Sequence, residues 1–481
     1  MRLDDDLCYR ALRTHDTRFD GRFFVGVRTT GIYCRPVCAG RPPRRDNCRF
    51  FPSAAAAEAD GFRPCLRCRP ELAPGNAAVD ATDRLAQQGA ALIEEGLARG
   101  QRLEEVAARL GVTDRHLRRV FRQFFGVSPV EFAQTQRLLL AKRLLTDTVL
   151  PVTDVAMASG FGSVRRFNAL FRSRYRLTPS GVRQDKVPTH AADRFSFALA
   201  YRPPLDWEAL CGFFAARSIG GVDAVEGNVY RRTLRVDASG GPCSGWLLVT
   251  RDARRHCLHV TVSASLARAL PAVLARVKRA FDLGCDPCEV AAGLGPLAHG
   301  RPGLRLPGAF DAFEVAVRAV LGQQVTVRAA RTLATRFARA FGDPLETPFA
   351  GLDRLFPAPA AVASRSVDEV AALGIVGTRA RTIVALARAV VSEELTLAPA
   401  GCLERTLERL RALPGIGEWT AQYIAMRALA WPDAFPHTDA GVTRALGERN
   451  PRRVLAIAEA WRPWRAYAVM HLWRSPEAPA S

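Results

Sequence analysis

Nowhere in its 481 residues does the chain contain a run of 18 apolar residues, and no basic amphipathic stretch stands out as a surface anchor. A membrane is therefore a poor partner for its charge. The N-terminus, Met1-Arg2-Leu3-Asp4-Asp5-Asp6, is acidic and lacks the apolar stretch of a signal peptide, so a cytoplasmic location is expected. Low-complexity sequence is absent apart from alanine-rich patches. Acidic residues are scarce relative to basic ones, 47 Asp+Glu against 68 Lys+Arg, a formal charge of +21. The excess is spread along the chain and favours a polyanionic partner. With 48% hydrophobic residues the chain has room for several cores, about three or four domains at the usual domain size.

What cysteine there is carries the most information. Four of the twelve lie in close pairs, Cys34/Cys38 and Cys65/Cys68, a C-x3-C followed by a C-x2-C. Tight pairs in a chain of this length fit a reducing compartment and metal binding better than a disulfide framework. Two such pairs can close a tetrahedral Zn²⁺ site, Cys34, Cys38, Cys65 and Cys68 each giving a thiolate. Arg35, Arg41, Arg44, Arg45, Arg63, Arg67 and Arg69 crowd the pairs, a setting suited to phosphates. Residues 1–75 hold fourteen Arg against nine acidic residues, a net of +5. They are short on helical periodicity, with brief strands expected over 23–27 and 49–51 and a linker over 73–76.

From residue 82 to 186 the pattern turns helical and repeats. Leu103–Val112 leads through Thr113 into Arg115–Phe121, and Val152–Gly162 leads through Ser163 into Val164–Phe171. Each block is a short amphipathic helix, a glycine-containing turn, a capping hydroxyl and a second helix, which is a helix-turn-helix pattern. The second helices carry Arg115, Arg118, Arg119 and Arg122 in one copy and Arg165, Arg166, Arg172 and Arg174 in the other. Such faces suit a helix entering the major groove of duplex DNA. A polar linker over 183–193 follows. Residues 194–305 alternate strand-like runs (195–199, 228–236, 245–249, 258–262) with helices over 207–217 and 266–281, an α+β unit. Residues 306–475 are almost all helix.

In that last segment Leu413-Pro414-Gly415-Ile416-Gly417 joins two helices through a tight turn. Gly415 and Gly417 allow close backbone approach, and the N–H groups of the next helix can grip a phosphate. Asp439 opens a further helix, and a bare N-cap is one reading of it. Beside a phosphate grip, its carboxylate could equally stabilise the cation formed as an N-glycosidic bond breaks. Trp419, Tyr423 and Trp473 offer either core packing or a stack for a flipped base.

These motifs carry family resemblances that cover nearly the whole chain. Residues 1–75 resemble the Ada-type DNA-repair domain through Val27–Pro36 and Gly61–Cys68. Residues 82–186 look like an AraC-type double helix-turn-helix, through Ser159–Ser163 and Phe167-Asn168. Residues 194–475 resemble 3-methyladenine DNA glycosylase II of the AlkA type, through Tyr201–Trp207, Leu321–Val325 and the hairpin with Asp439. The expected fold is multidomain: a small α+β zinc domain (1–75), an all-α double helix-turn-helix (82–186), an α+β TBP-like domain (194–305) and an all-α helix-hairpin-helix glycosylase domain (306–475).

The resemblance implies an adaptive-response protein for alkylation damage. It assigns Cys34 as acceptor of a methyl group from DNA methylphosphotriesters, once per molecule. The thiolate cluster would then change from −2 to −1, favouring operator binding by the helix-turn-helix pair. It assigns Asp439 as catalytic carboxylate in excision of 3-methyladenine or 7-methylguanine, with Trp419, Tyr423, Trp473 and Phe213 around the base. Related bifunctional enzymes place a lysine after Glu418; Trp419 stands here, implying a monofunctional glycosylase. Gln324 aligns with the family's hydrophobic DNA wedge. No cysteine follows Cys402 and no Pro-Cys-His-Arg motif occurs, so neither an iron–sulfur cluster nor an O6-methylguanine methyltransferase half is expected. Implied partners are alkylated duplex DNA, a promoter operator and RNA polymerase, with the chain a monomer. The alternative is a non-catalytic transcription factor with structural zinc, its glycosylase fold kept for binding DNA.

Overall fold

The computed structural model describes residues 4–74, 81–96, 102–148, 150–183, 193–238, 241–397 and 403–474. The linker expected over 183–193 falls mostly outside these residues, as do residues 75–76 of the first linker. Among the described residues no helix is long and apolar enough to cross a membrane.

The N-terminal module is a four-stranded sheet of order β3-β1-β2-β4, with β1 Phe24–Val27, β2 Ile32–Cys34, β3 Cys48–Phe51 and β4 Arg63–Pro64. Its β1 runs antiparallel to β2 and β3, whereas β2 and β4 are parallel, with Tyr33 opposite Pro64. That register brings Cys65 level with Cys34. The segment also holds two helices that its pattern did not announce, Asp5–Arg13 and Ala54–Ala59. The second is six residues of alanine and glutamate, too short and uniform to show a period. Burial of Ala54, Ala55, Ala57 and Glu58 rather than intrinsic propensity holds it.

Both helix-turn-helix units form as expected: Leu103–Arg109 with Asp114–Phe125, and Val152–Ala158 with Val164–Tyr175. The Thr113 hydroxyl accepts from His116 N–H at 3.3 Å, and that of Ser163 from Arg166 N–H at 3.4 Å. Gly111 and Gly160 turn the chain at φ +69° and +80°, where a side chain would strain the backbone. Between the units runs the helix Pro129–Asp147, opened by a capping box of Ser128 and Glu131.

A five-stranded antiparallel sheet follows in the order β5-β9-β8-β7-β6. Its strands are β5 Arg194–Ala200, β6 Asp223–Glu226, β7 Val229–Ala238, β8 Gly241–Asp252 and β9 Cys257–Ser263. Helices Trp207–Arg217 and Leu270–Ala280 pack with it. The remainder is helical, including Ala312–Leu321, Leu403–Ala412, Glu418–Arg427 and Ala440–Leu446. One buried apolar cluster runs from Leu138 through Phe197, Val260, Phe281 and Val320 to Leu472, crossing from the second helix-turn-helix unit into the C-terminal helices. Polar ties join the same parts. Arg143 donates to the Ala198 carbonyl at 2.7 Å, and Arg22 pairs with Asp286 and, at 2.6 Å, with Glu289.

Candidate zinc centre and active-site pocket

The sulfurs of Cys34, Cys38, Cys65 and Cys68 lie within 4.8 Å of one another. Cys38 and Cys65 are buried and Cys34 and Cys68 half-buried. The chemistry of this donor set fits a soft tetrahedral cation. Left to themselves the thiols share protons: Cys34 is pushed up by its contact with Cys38, whereas Cys38 is drawn down to about 6 by its contact with Cys34. Four sulfurs this close cannot all be thiolates unless a cation compensates them. The backbone supports the cluster, Arg35 N–H donating to Cys68 Sγ at 3.4 Å.

The arginines around it do not form a single phosphate-facing set. Arg35 is buried, pairs with Asp20, and donates to the Cys68 carbonyl at 3.2 Å. Arg69 is bound to Asp147 at 2.7 Å and Glu71 at 3.0 Å. Both are structural, because a guanidinium taken out of water must be paired. Arg41, Arg44 and Arg67 are exposed.

Behind the cluster, Glu58 joins the module to the helix-turn-helix region. Its carboxylate accepts from Tyr33 and Thr135 at 3.0 Å each and from Tyr175 at 3.3 Å. Burial pushes it up to about 7 despite these donors. Lys142, on Pro129–Asp147, donates to Glu71 at 2.7 Å and to the Cys65 carbonyl at 3.3 Å. On the second helices of the two units Arg115, Arg165 and Arg166 are exposed, and Arg118 pairs with Asp114 at 2.8 Å.

The second centre is a cavity of about 1100 Å³ lined by Phe213, Arg217, Arg318, Trp419, Tyr423, Asp439 and Trp473. Asp439 caps the helix Ala440–Leu446 and lines this cavity. Its Oδ1 accepts from the N–H groups of Gly441 (2.9 Å) and Val442 (3.1 Å) and from Trp473 Nε1 (2.8 Å). Its Oδ2 accepts from Trp419 Nε1 at 2.9 Å. Four N–H donors, two from the backbone of its own helix and two from indoles, thus fix the orientation of the carboxylate. The indole rings continue into a stack: Trp419 on Tyr423 at 5.3 Å and 22°, and Phe213 with Trp473 at 6.4 Å and 13°.

Three arginines, Arg217 and Arg318 lining this pocket and Arg427 buried against Tyr423, carry no signal in the sequence pattern. Arg217 lies 3.8 Å over the Phe213 ring, Arg427 donates to Tyr423 Oη at 3.0 Å, and Arg318 pairs with buried Glu314 at 3.0 Å. Burial drives the Tyr423 phenol up, yet Arg427, Arg217 and Arg318 outweigh it and the net shift is downward. Burial, reinforced by repulsion from Arg217 and Arg318, pushes Arg427 down to about 10. Nothing in their spacing separates these arginines from those of a solvated helix.

Gly415 has φ +81° and its hydrogen faces Thr382, whose Oγ1 would stand 2.3 Å from a Cβ there. Gly417 starts the helix Glu418–Arg427 with no side-chain cap and with open space at its α-carbon. Gln323, beside the residue singled out in sequence, braces this turn by donating to the Gly415 carbonyl and Thr420 Oγ1, both at 2.9 Å. Gln324 itself is exposed at φ +53°.

Four family models match in chain order: the metal binding domain of Ada over residues 7–71, a helix-turn-helix domain over 106–185, the AlkA N-terminal domain over 196–311, and the HhH-GPD superfamily of base excision DNA repair proteins over 317–451. A probable bifunctional transcriptional activator/DNA repair enzyme AlkA of Mycobacterium tuberculosis is 39% identical over all of this chain and 98% of its own length. DNA-3-methyladenine glycosylase 2 of Escherichia coli is 38% identical over 58% of this chain and 96% of its own. A 3-methyladenine DNA glycosylase structure from Archaeoglobus fulgidus superposes with a TM-score of 0.50 at 24% identity, covering 58% of this chain and 97% of that one, a likeness of fold.

Proposed function

The chain belongs to the family of bifunctional transcriptional activators and DNA repair enzymes of the Ada–AlkA type, and from that premise we propose how its two centres divide the chemistry. Cys34 is the methyl acceptor. Zinc, when bound, keeps the four sulfurs deprotonated at neutral pH. The Cys34 thiolate attacks the methyl carbon of a methylphosphotriester, an S–CH3 bond forms, and the C–O bond breaks with its electron pair returning to the phosphate. The product thioether is neutral, so the reaction runs once per chain. Loss of one negative charge beside DNA strengthens binding of Arg115, Arg118, Arg165 and Arg166 to an operator. The Lys142 and Glu58 contacts give the change a route to the helix Pro129–Asp147 between the two units and, through Tyr175, to the second unit. The chain acts as a monomer that contacts RNA polymerase from that operator.

The C-terminal pocket excises alkylated bases. The uncapped N–H groups after Gly417 and the turn at Gly415 hold the backbone phosphate, and exposed Gln324 fills the gap left by the flipped nucleotide. The base enters the stack of Trp419, Tyr423, Trp473 and Phe213. The C1′–N bond breaks with its electron pair leaving on the base, and the Asp439 carboxylate stabilises the oxocarbenium charge until water adds and loses a proton. No lysine follows Glu418 to form a Schiff base, so the product is an abasic site in an intact strand.

The four-donor clamp on Asp439 at the mouth of an aromatic cavity carries this reading. Release of free 3-methyladenine or 7-methylguanine from alkylated duplex DNA by the full chain, lost in Asp439→Asn, is the expected result. Binding of the same DNA without release by either protein would make the C-terminal half a DNA-binding scaffold.

A further inference from the structure

At the closed end of the β8–β9 hairpin, Asp252, Cys257 and His259 bring a carboxylate oxygen, a thiol sulfur and an imidazole nitrogen within 4.8 Å of one another. Neither centre described above uses them. The strand geometry accounts for the cluster. Asp252, the last residue of β8, pairs directly with Cys257, the first of β9. His259 follows two residues later, and side chains two apart on a strand share a face. His256, the hairpin's other histidine, sits at φ +49° and packs its ring against Tyr201, with centroids 6.1 Å apart.

Asp252 is oriented without any ligand. Its Oδ1 accepts from the N–H groups of Arg254 at 3.0 Å and Arg255 at 3.1 Å, which turns Oδ2 toward His259. Oδ2 and His259 Nε2 are 3.4 Å apart. That is long for a hydrogen bond, which prefers about 2.9 Å. It matches the edge, about 3.3 Å, of a tetrahedron whose nitrogen and oxygen ligands lie about 2.0–2.1 Å from a central ion. Cys257 is buried, while Asp252 and His259 are half-buried, so the trio has a closed floor and a side open to water.

We propose that Asp252, Cys257 and His259 form a second metal site, which takes Zn²⁺ or a similar divalent transition ion with water as the fourth ligand. One thiolate, one imidazole and one carboxylate suit such an ion and disfavour Mg²⁺ or Ca²⁺. Loading forms three protein–metal bonds and breaks one S–H bond, the Cys257 proton leaving to solvent; the imidazole binds neutral and the carboxylate is already ionised. The ion clamps the two strands where they leave their turn.

The test is metal content of full-length protein loaded with Zn²⁺ and freed of excess by gel filtration. The expected result is about two zinc ions per chain in the wild type and about one in Cys257→Ser and in His259→Ala. His259 is half exposed, so its alanine variant should melt and release bases as the wild type does, which separates metal loss from misfolding. Co²⁺ in place of Zn²⁺ should give thiolate-to-metal absorption in two increments, the smaller absent from both variants. One zinc per chain in the wild type overturns the site. So does a second zinc that persists in both variants, which would be an adventitious surface ion only.

Discussion

At the zinc centre every ligand comes from two sequence-local pairs, and one parallel strand register sets them side by side. At the pocket Asp439 takes its donors from its own helix and from two tryptophans 20 and 34 residues away on different helices. Both centres place an anion inside a basic protein, but they stabilise it differently. The thiolates depend on a cation that neutralises their mutual repulsion, whereas the carboxylate depends on fixed N–H dipoles that bring no net charge. In the reaction proposed for it, a centre of the first kind is spent, because alkylating one sulfur changes its charge for good. A centre of the second kind is unchanged after each turnover and can act again.

The largest expected effect separates the two outright. Cys34→Ala should abolish methyl transfer to the protein, read by mass spectrometry after incubation with methylated DNA, and leave base release intact. Loss of both activities would show that the zinc module is needed for the fold of the pocket, and the comparison would fail. Asp439→Asn should do the converse, cutting base release about 10²–10³-fold, the usual cost of losing one preorganised electrostatic group, with methylation of Cys34 unchanged.

The third expectation concerns the join between module and helix-turn-helix units. Burial raises Glu58 from 4.5 to about 7, so the folded chain holds a proton there that the unfolded chain has lost. Stability from this group is therefore full below pH 4.5 and falls as pH rises to about 7. The fall amounts to about 3 kcal/mol, at 1.36 kcal/mol per unit. Glu58→Gln retains an acceptor for Tyr33 and Tyr175 and should remove that slope from denaturant melts taken across this range. An unchanged slope would place the titration elsewhere. The smallest effect tests the dipole clamp: Trp473→Phe keeps a ring in the stack but removes one N–H from Asp439. It should cost about 1.5 kcal/mol, near tenfold in kcat/KM for base release.

Much of this was legible before any coordinates. The cysteine spacing, the Thr113 and Ser163 caps and the Gly415–Gly417 turn act within a few residues, so their chemistry is written in the local pattern. Asp439 could be read as cap or as site carboxylate; the structure shows the cap in its Oδ1 contacts and sets Oδ2 against the Trp419 indole on the pocket wall, a place consistent with the second role. The crowd of arginines near the cysteines looked uniform, yet Asp20 and Asp147 withdraw Arg35 and Arg69 into the protein. The helix Ala54–Ala59 gave no periodic signal, because burial rather than pattern holds it.

Sequence by itself thus determined the order of the modules, the metal-binding cysteines, the repeated helix-turn-helix and the hairpin before Trp419. Each depends on residue type at short spacing. Tertiary structure alone decided which arginines surround Tyr423, that Glu58 bridges Tyr33 to Thr135 and Tyr175, and that Asp252 meets Cys257 and His259. Those contacts depend on how helices cross and strands pair between distant segments, where burial, and not local propensity, selects the partners.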